Sequence, residues 1–75
     1  MKRTVQKLSE DAVRREYPLV GPPAGWFFRV REVSNGVFIV EGTDLWGRKV
    51  SRTGFDEQAL LAACSEDARN IDAQR

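Results

Sequence analysis

The first regular pattern of polar and apolar positions predicts a short helix over residues 9–16. Ser9 is a good N-cap, and Glu10 and Asp11 place negative charge at the positive end of the helix dipole. Pro18 disfavours helical geometry at the residue before it. The helix is therefore expected to end at about residue 16.

Three strands are predicted in the middle of the chain. Residues 26–33 are rich in aromatic and β-branched side chains, and the dipeptide Asn35-Gly36 that follows is a strong hairpin signal. Residues 37–41 are expected to form the second strand of that hairpin. After a turn, residues 48–52 are expected to form a third strand that closes a meander.

The last periodic segment predicts a second helix over residues 57–70. Asp56 is its expected N-cap, and Phe55 is placed to pack on Leu60 as a hydrophobic staple. One side of this helix carries an apolar stripe, made of Leu60, Leu61, Cys64, Ala68 and Ile71.

The order of these elements predicts an α+β fold, α-β-β-β-α. We expect an antiparallel three-stranded meander with two helices packed on one face. The chain has 75 residues, which suits one domain. Residues 8–72 are expected to form this domain, with residues 1–7 as a flexible N-terminal arm and residues 73–75 as a frayed C-terminus.

Strand alternation predicts which side chains share a face of the sheet. The most apolar set is expected to face the helices: Trp26, Phe28, Val30, Phe38, Val40 and Val50. The other face mixes apolar and cationic side chains: Phe27, Val37, Ile39, Arg29, Arg31 and Lys49. Because both helices are expected on the first face, the second is predicted to be free to bind a partner.

Two kinds of partner fit that free face. Another protein, or a second copy of the chain, would pack on Phe27, Val37 and Ile39, with the arginines at the rim. DNA or RNA would place its phosphates on the cations, to which Arg48 and Arg52 would add, and Phe27 would stack. A third interpretation is that the N-terminal arm covers these side chains, or that they are the ordinary outside of a sheet.

Trp46 lies in the predicted turn between the second and third strands. It either folds back onto the core or stands exposed as a binding anchor, a role in which tryptophan is enriched. The complete set of predicted partner-binding residues is Phe27, Arg29, Arg31, Val37, Ile39, Lys49 and Trp46. A protein partner or a homodimer is the favoured prediction, and DNA or RNA on the same face is the alternative.

The charge balance argues against a strongly electrostatic nucleic-acid binder. The chain has 12 basic and 11 acidic residues and a net charge of +1. Affinity for nucleic acid rises with the number of phosphates that a protein neutralises. The charge is nevertheless polarised: residues 1–54 hold ten basic and six acidic side chains, whereas residues 55–75 hold two and five.

The composition also narrows the chemistry. The chain has no histidine and one cysteine, so it cannot form a Ser-His-Asp triad, a Cys-His pair or a histidine-containing zinc site by itself. Cys64 is expected to be a buried, inert thiol on the apolar stripe. We therefore expect a non-enzymatic protein without cofactor or metal. No stretch has the length and apolarity of a membrane span, and the single cysteine favours the cytoplasm.

Three short sequence segments occur in the same order as in a known family of domains that consists of a three-stranded sheet and a helix. They are GVFIVE at residues 36–41, GRKV at residues 47–50 and GFDEQAL at residues 54–60. Together they resemble the DNA-binding domain of plant ethylene-response factors and the related arm-binding domains of phage integrases, over residues 26–71. This resemblance implies a three-stranded sheet face in the DNA major groove with a helix packed behind it. The element order also resembles that of double-stranded-RNA-binding domains.

Overall fold

A four-stranded antiparallel sheet in the order β1-β2-β3-β4 forms the middle of the protein. The computed structural model describes residues 7–74, so the predicted N-terminal arm lies outside the described residues except for Lys7. The elements are α1 (Glu10–Glu16), β1 (Leu19–Val20), β2 (Trp26–Ser34), β3 (Val37–Asp44), β4 (Lys49–Gly54) and α2 (Glu57–Ala73).

The α+β class is confirmed, but the predicted count of three strands is wrong. The additional strand is β1, in which Leu19 pairs with Phe28 and Val20 pairs with Phe27. Two residues are too few for alternation of polar and apolar positions to be recognised, and both side chains of β1 are exposed. This strand is therefore defined by its pairing with β2, which the sequence pattern does not reveal.

Both predicted helix starts are confirmed by their caps. The Ser9 hydroxyl accepts a hydrogen bond from the backbone N–H of Ala12, and a carboxylate oxygen of Asp56 accepts from the N–H groups of Gln58 and Ala59. The predicted staple is wrong, because Phe55 is 81% exposed instead of packing on Leu60. Helix α2 continues three residues beyond the predicted residue 70, to Ala73.

The two hairpins have different turns. Gly36, with φ +78°, closes the predicted Asn35-Gly36 turn, and the pairing of β2 with β3 shifts register between Glu32 and Ser34. This shift is a β-bulge that inserts one extra residue into β2. The second turn is tighter than predicted, because β3 continues to Asp44 and the backbone N–H of Asp44 donates to the carbonyl of Arg48 at 3.1 Å.

The main core lies between the sheet and α2. Its buried side chains are Trp26, Phe28, Val40, Leu60, Cys64 and Ala68, and the half-buried side chains packed on them are Val30, Phe38, Val50, Leu61 and Ile71. These are all the residues predicted for the inward sheet face and for the stripe of α2. The face that packs on α2 is called the inner face below, and the opposite one the outer face.

A second, smaller core lies on the outer face, where α1 packs. Val13 and Tyr17 of α1 bury Phe27, with Leu45 packed beside them. Neighbouring residues of a strand project to opposite faces, so Phe27 points away from Trp26 and Phe28. The prediction that both helices pack on one face is therefore wrong. Burying the phenyl group of Phe27 is worth about 1.5–3 kcal/mol, which favours covering this face as well.

A polar network joins the end of α2 to the sheet. The indole N–H of the buried Trp26 donates to the Asp72 carboxylate, at 3.3 and 3.2 Å from its two oxygens. The Arg48 guanidinium binds Asp72 at 2.9 Å, also binds Asp44, and lies 5.7 Å from the centre of the Trp26 ring. The network thus holds together the start of β2, the β3–β4 turn and the last turn of α2.

Gly42 allows the inner face to pack closely, and replacing it tests this core. A Cβ at Gly42 would lie 2.5 Å from the buried Phe28 ring, so we expect Gly42→Ala to lower the free energy of unfolding by about 1–3 kcal/mol. At Gly54 a Cβ would lie 3.1 Å from the end of the flexible Leu60 side chain, so Gly54→Ala is the milder control. Urea unfolding measures both, and equal midpoints for the two variants would contradict this packing.

Candidate interaction surface

Strand pairing shows where the predicted partner-binding residues lie. On the outer face, Arg29 is opposite Glu41, which is opposite Ser51, and Arg31 is opposite Ile39, which is opposite Thr53. The structure therefore brings six of the seven predicted residues to one face: Phe27, Arg29, Arg31, Val37, Ile39 and Lys49. The seventh, Trp46, lies in the β3–β4 turn.

The sequence predicted that Phe27 would bind a partner, but in the structure its side chain is not accessible to one. It is 3% exposed because Val13 and Tyr17 cover it. The prediction failed because it placed α1 on the other face of the sheet. Phe27 instead fixes α1 on the outer face, and α1 in turn closes one end of that face.

The other end of the outer face remains open. This open sheet patch consists of Arg29, Arg31, Val37, Ile39, Glu41, Ser51 and Thr53. Val37, Ile39 and Glu41 follow one another along β3, with the arginines of β2 on one side and Ser51 and Thr53 of β4 on the other. Val37 and Ile39 are half-buried, while Arg31, Ser51 and Thr53 are exposed. The patch thus has two aliphatic side chains bordered by charged and small polar side chains.

Glu41 organises the arginines of the patch. One of its oxygens accepts from Nε of Arg29 at 2.8 Å and from Nε of Arg31 at 3.2 Å. Arg29 also lies 3.8 Å from a Glu16 oxygen and stacks 4.5 Å from the centre of the Tyr17 ring. The orientation of the Arg29 side chain is therefore restricted by contacts with three other residues.

The contact between Arg29 and Glu41 also shifts the pKa of both side chains. The hydrogen bond from Arg29 holds the pKa of Glu41 below its ordinary value, and it raises the pKa of Arg29. Alternation along β3 puts Glu41 on the same face as Ile39, but no role was predicted for it. A carboxylate on the same sheet face as Arg29 and Arg31 was the sequence feature that indicated ion pairs. Which arginine lies opposite Glu41 depends on the register of β2 and β3, which the bulge sets.

The cations outside the patch are occupied differently. Arg52 binds both oxygens of Asp67, at 2.8 and 2.9 Å, and Arg48 binds Asp44 and Asp72. Both arginines therefore bind carboxylates of the α2 side of the protein, and the suggestion that they add to a cationic outer face is not supported. Lys49 is exposed on the outer face, next to α1.

Two shallow cavities run along the edge of α1. One, of about 240 Å³, lies between α1 and the sheet and includes Val13, Tyr17 and Lys49 in its lining. The other, of about 270 Å³, shares Tyr17 and Lys49 with it and continues to Arg29 and Glu41. The open sheet patch is thus bordered by a recess on the side of α1.

Trp46 stands exposed instead of folding back onto the core, and its role as a binding anchor stays a prediction. It is 53% exposed, and the ammonium group of Lys7 lies 5.9 Å from the centre of its ring. The β3–β4 turn that carries it follows the end of β3, whereas Val37 and Ile39 lie near the beginning of that strand. Trp46 is therefore separated from the open sheet patch by the region that α1 covers.

The thiol of Cys64 is buried, as predicted. It lies 3.6 Å from the carbonyl oxygen of Val40, and burial is the main cause that raises its pKa to about 11. Within residues 7–74, no group of His, Cys, Asp and Glu side chains is arranged to hold a metal ion, and no helix is long and apolar enough to cross a membrane.

The fold and the surface define a small α+β protein with one helix on each face of a four-stranded antiparallel sheet. Comparison of the chain with protein-family profiles, curated proteins and solved structures gave no match in any of the three.

The Glu41 contacts make a prediction about stability and pH. A carboxylate whose pKa is lowered by folding stabilises the folded state above its ordinary pKa, and this contribution is lost as the pH falls through the folded-state value. We expect Glu41→Gln to be less stable than the wild type at pH 7. The difference should begin to shrink as the pH falls through the ordinary glutamate pKa of about 4.3, and it should be lost once the pH is below the lowered pKa of Glu41.

Urea unfolding over a pH series measures this difference. Asp67→Asn is a suitable comparison, because Arg52 lowers the pKa of Asp67 in the same way outside the open sheet patch. A constant difference between wild type and Glu41→Gln from pH 7 down to the acid limit of folding would contradict the assigned ion pairs.

Proposed function

We propose that the protein is a non-enzymatic binding module whose open sheet patch docks on another protein. The observation that carries this proposal is the half-covered outer face: α1 buries Phe27 at one end and leaves Val37 and Ile39 accessible at the other. Aliphatic side chains bordered by arginines, Glu41 and small polar side chains are consistent with the composition of a protein interface.

The restricted orientation of Arg29 supports the same proposal. Ordering a free arginine on binding costs roughly 0.5–1.5 kcal/mol of side-chain entropy. Arg29 is already held by Glu41, Glu16 and the Tyr17 ring, so little of that cost remains. A planar guanidinium held beside half-buried aliphatic side chains is suited to bind a carboxylate or a backbone carbonyl of a partner.

DNA or RNA on the same face remains the second candidate, and the exposed side chains of Arg31 and Lys49 favour it. The ion pairs weigh against it. Three cations of the outer face, Arg29, Arg31 and Lys49, are accompanied by the carboxylates of Glu41 and Glu16, which leaves one net positive charge. With one net positive charge on this face, the gain from counterion release on binding phosphates would be small.

Substitutions on the patch test the proposed function. A protein partner recovered by crosslinking to the wild-type chain should be retained by Ala62→Asp, which places a charge on the exposed side of α2. It should be lost with Ile39→Asp, which puts a charge on a half-buried aliphatic position of the patch, and weakened by a smaller factor with Arg31→Glu, which reverses a charge at its rim. Circular dichroism verifies that each variant folds.

Binding of nucleic acid is tested by NMR titration of the isotopically labelled protein with duplex DNA and with single-stranded RNA, at low and at physiological salt. We expect no salt-dependent amide shifts at residues 29–31 and 49–53. Shifts there that fade as salt rises would favour nucleic acid instead. Equal loss of the protein partner with Ala62→Asp and Ile39→Asp would remove the open sheet patch as the docking surface.

A further inference from the structure

The inner side of the protein carries a large aromatic side chain that the fold does not use. Phe55 precedes the N-cap of α2 and is 81% exposed, more than any other large hydrophobic side chain in the described part of the chain. Its predicted partner, Leu60, is buried in the main core without it. The exposed ring therefore contributes little to this core.

Phe55 borders an apolar recess. A shallow cavity of about 480 Å³ lies beside it, with the half-buried Phe38 and Leu61 in its lining. Phe38 and Leu61 pack on the main core from one side and face this recess on the other. Two aromatic rings and a leucine thus form a continuous apolar surface at the start of α2.

The charges around this recess have one sign. Asp56 and Glu57 line it, and Glu32 lies opposite Phe38 on the same face of the sheet. No basic side chain of residues 7–74 is part of the lining. Arg52, in the next row of β4, is bound by both oxygens of Asp67, so its charge is compensated.

The geometry points to a second docking surface, formed by Phe38, Phe55, Leu61, Glu32, Asp56 and Glu57, for a segment of a partner protein with an apolar side chain flanked by lysine or arginine. The apolar side chain would occupy the recess, and the flanking cations would lie near the three carboxylates. Aromatic rings also attract cations over their faces, which adds to the same preference. We call this surface the acidic aromatic patch.

This surface is independent of the open sheet patch. The acidic aromatic patch lies on the inner side beside α2, whereas the open sheet patch lies on the outer face beyond α1. The two also differ in charge, since arginines surround one and carboxylates the other.

Three short model peptides separate the apolar and the electrostatic parts of the recognition. One alternates leucine and lysine, the second leucine and glutamate, and the third serine and lysine. We expect the leucine–lysine peptide alone to shift the NMR signals of Phe38, Phe55 and Leu61 in the labelled full chain. The proposal is overturned if the leucine–glutamate or the serine–lysine peptide binds equally well, or if the leucine–lysine peptide leaves these signals unchanged.

Variants then test the individual residues. Phe55→Ser should weaken binding of the leucine–lysine peptide about tenfold, as for a central anchor, and it should fold because Phe55 is exposed. Glu57→Gln should weaken it by a smaller factor, and only at low salt. Ile39→Asp should leave it unchanged, so failure here is distinguishable from failure of the open sheet patch.

The alternative occupant of the recess is a second copy of the chain, and sedimentation tests it. If sedimentation shows a dimer of the wild type that Phe55→Ser converts to a monomer, a second copy occupies the recess and the proposed partner is wrong. A monomeric wild type that binds the leucine–lysine peptide through Phe55 supports the proposal.

Discussion

The fold depends on a run of three aromatic side chains, residues 26–28, on one strand. Strand geometry sends Trp26 and Phe28 to one face and Phe27 to the other, so an apolar group must be covered on both sides. Helix α2 covers the first face along most of the sheet. The Trp26 indole N–H donates a hydrogen bond to Asp72 near the C-terminal end of this helix. Helix α1 has only seven residues and covers the second face at the end near Phe27. The unequal lengths of the helices therefore leave part of the outer face open.

Much of this architecture follows from local sequence rules. Alternation along the strands identified every sheet residue of the main core, and the cap residues Ser9 and Asp56 located both helix starts. The position of α1 could not be obtained in this way, because its few apolar side chains do not indicate which face of a sheet they will meet. Strand β1 was missed for a similar reason, since its two residues have no period and depend on β2 for their pairing.

One irregularity could have been inferred from the sequence. A two-residue turn at Asn35-Gly36 pairs Ser34 with Val37, and continuing that register would put Val30 opposite Glu41. The apolar residues of β2 and β3 would then lie on opposite faces. One extra residue in β2 removes this conflict, and the bulge between Glu32 and Ser34 supplies it. The same shift places Arg29 opposite Glu41, so the ion pairs of the open sheet patch depend on it.

The central claim is that the outer face is covered at Phe27 and open at Ile39. The most direct test is a nuclear Overhauser measurement on the methyl-labelled protein, repeated with a soluble paramagnetic agent. The structure predicts contacts from the Phe27 ring to the Val13 methyl groups, together with strong paramagnetic relaxation of the Ile39 methyl groups. Contacts from Phe27 to Leu60 or Ile71, or an Ile39 side chain protected from the agent, would contradict it.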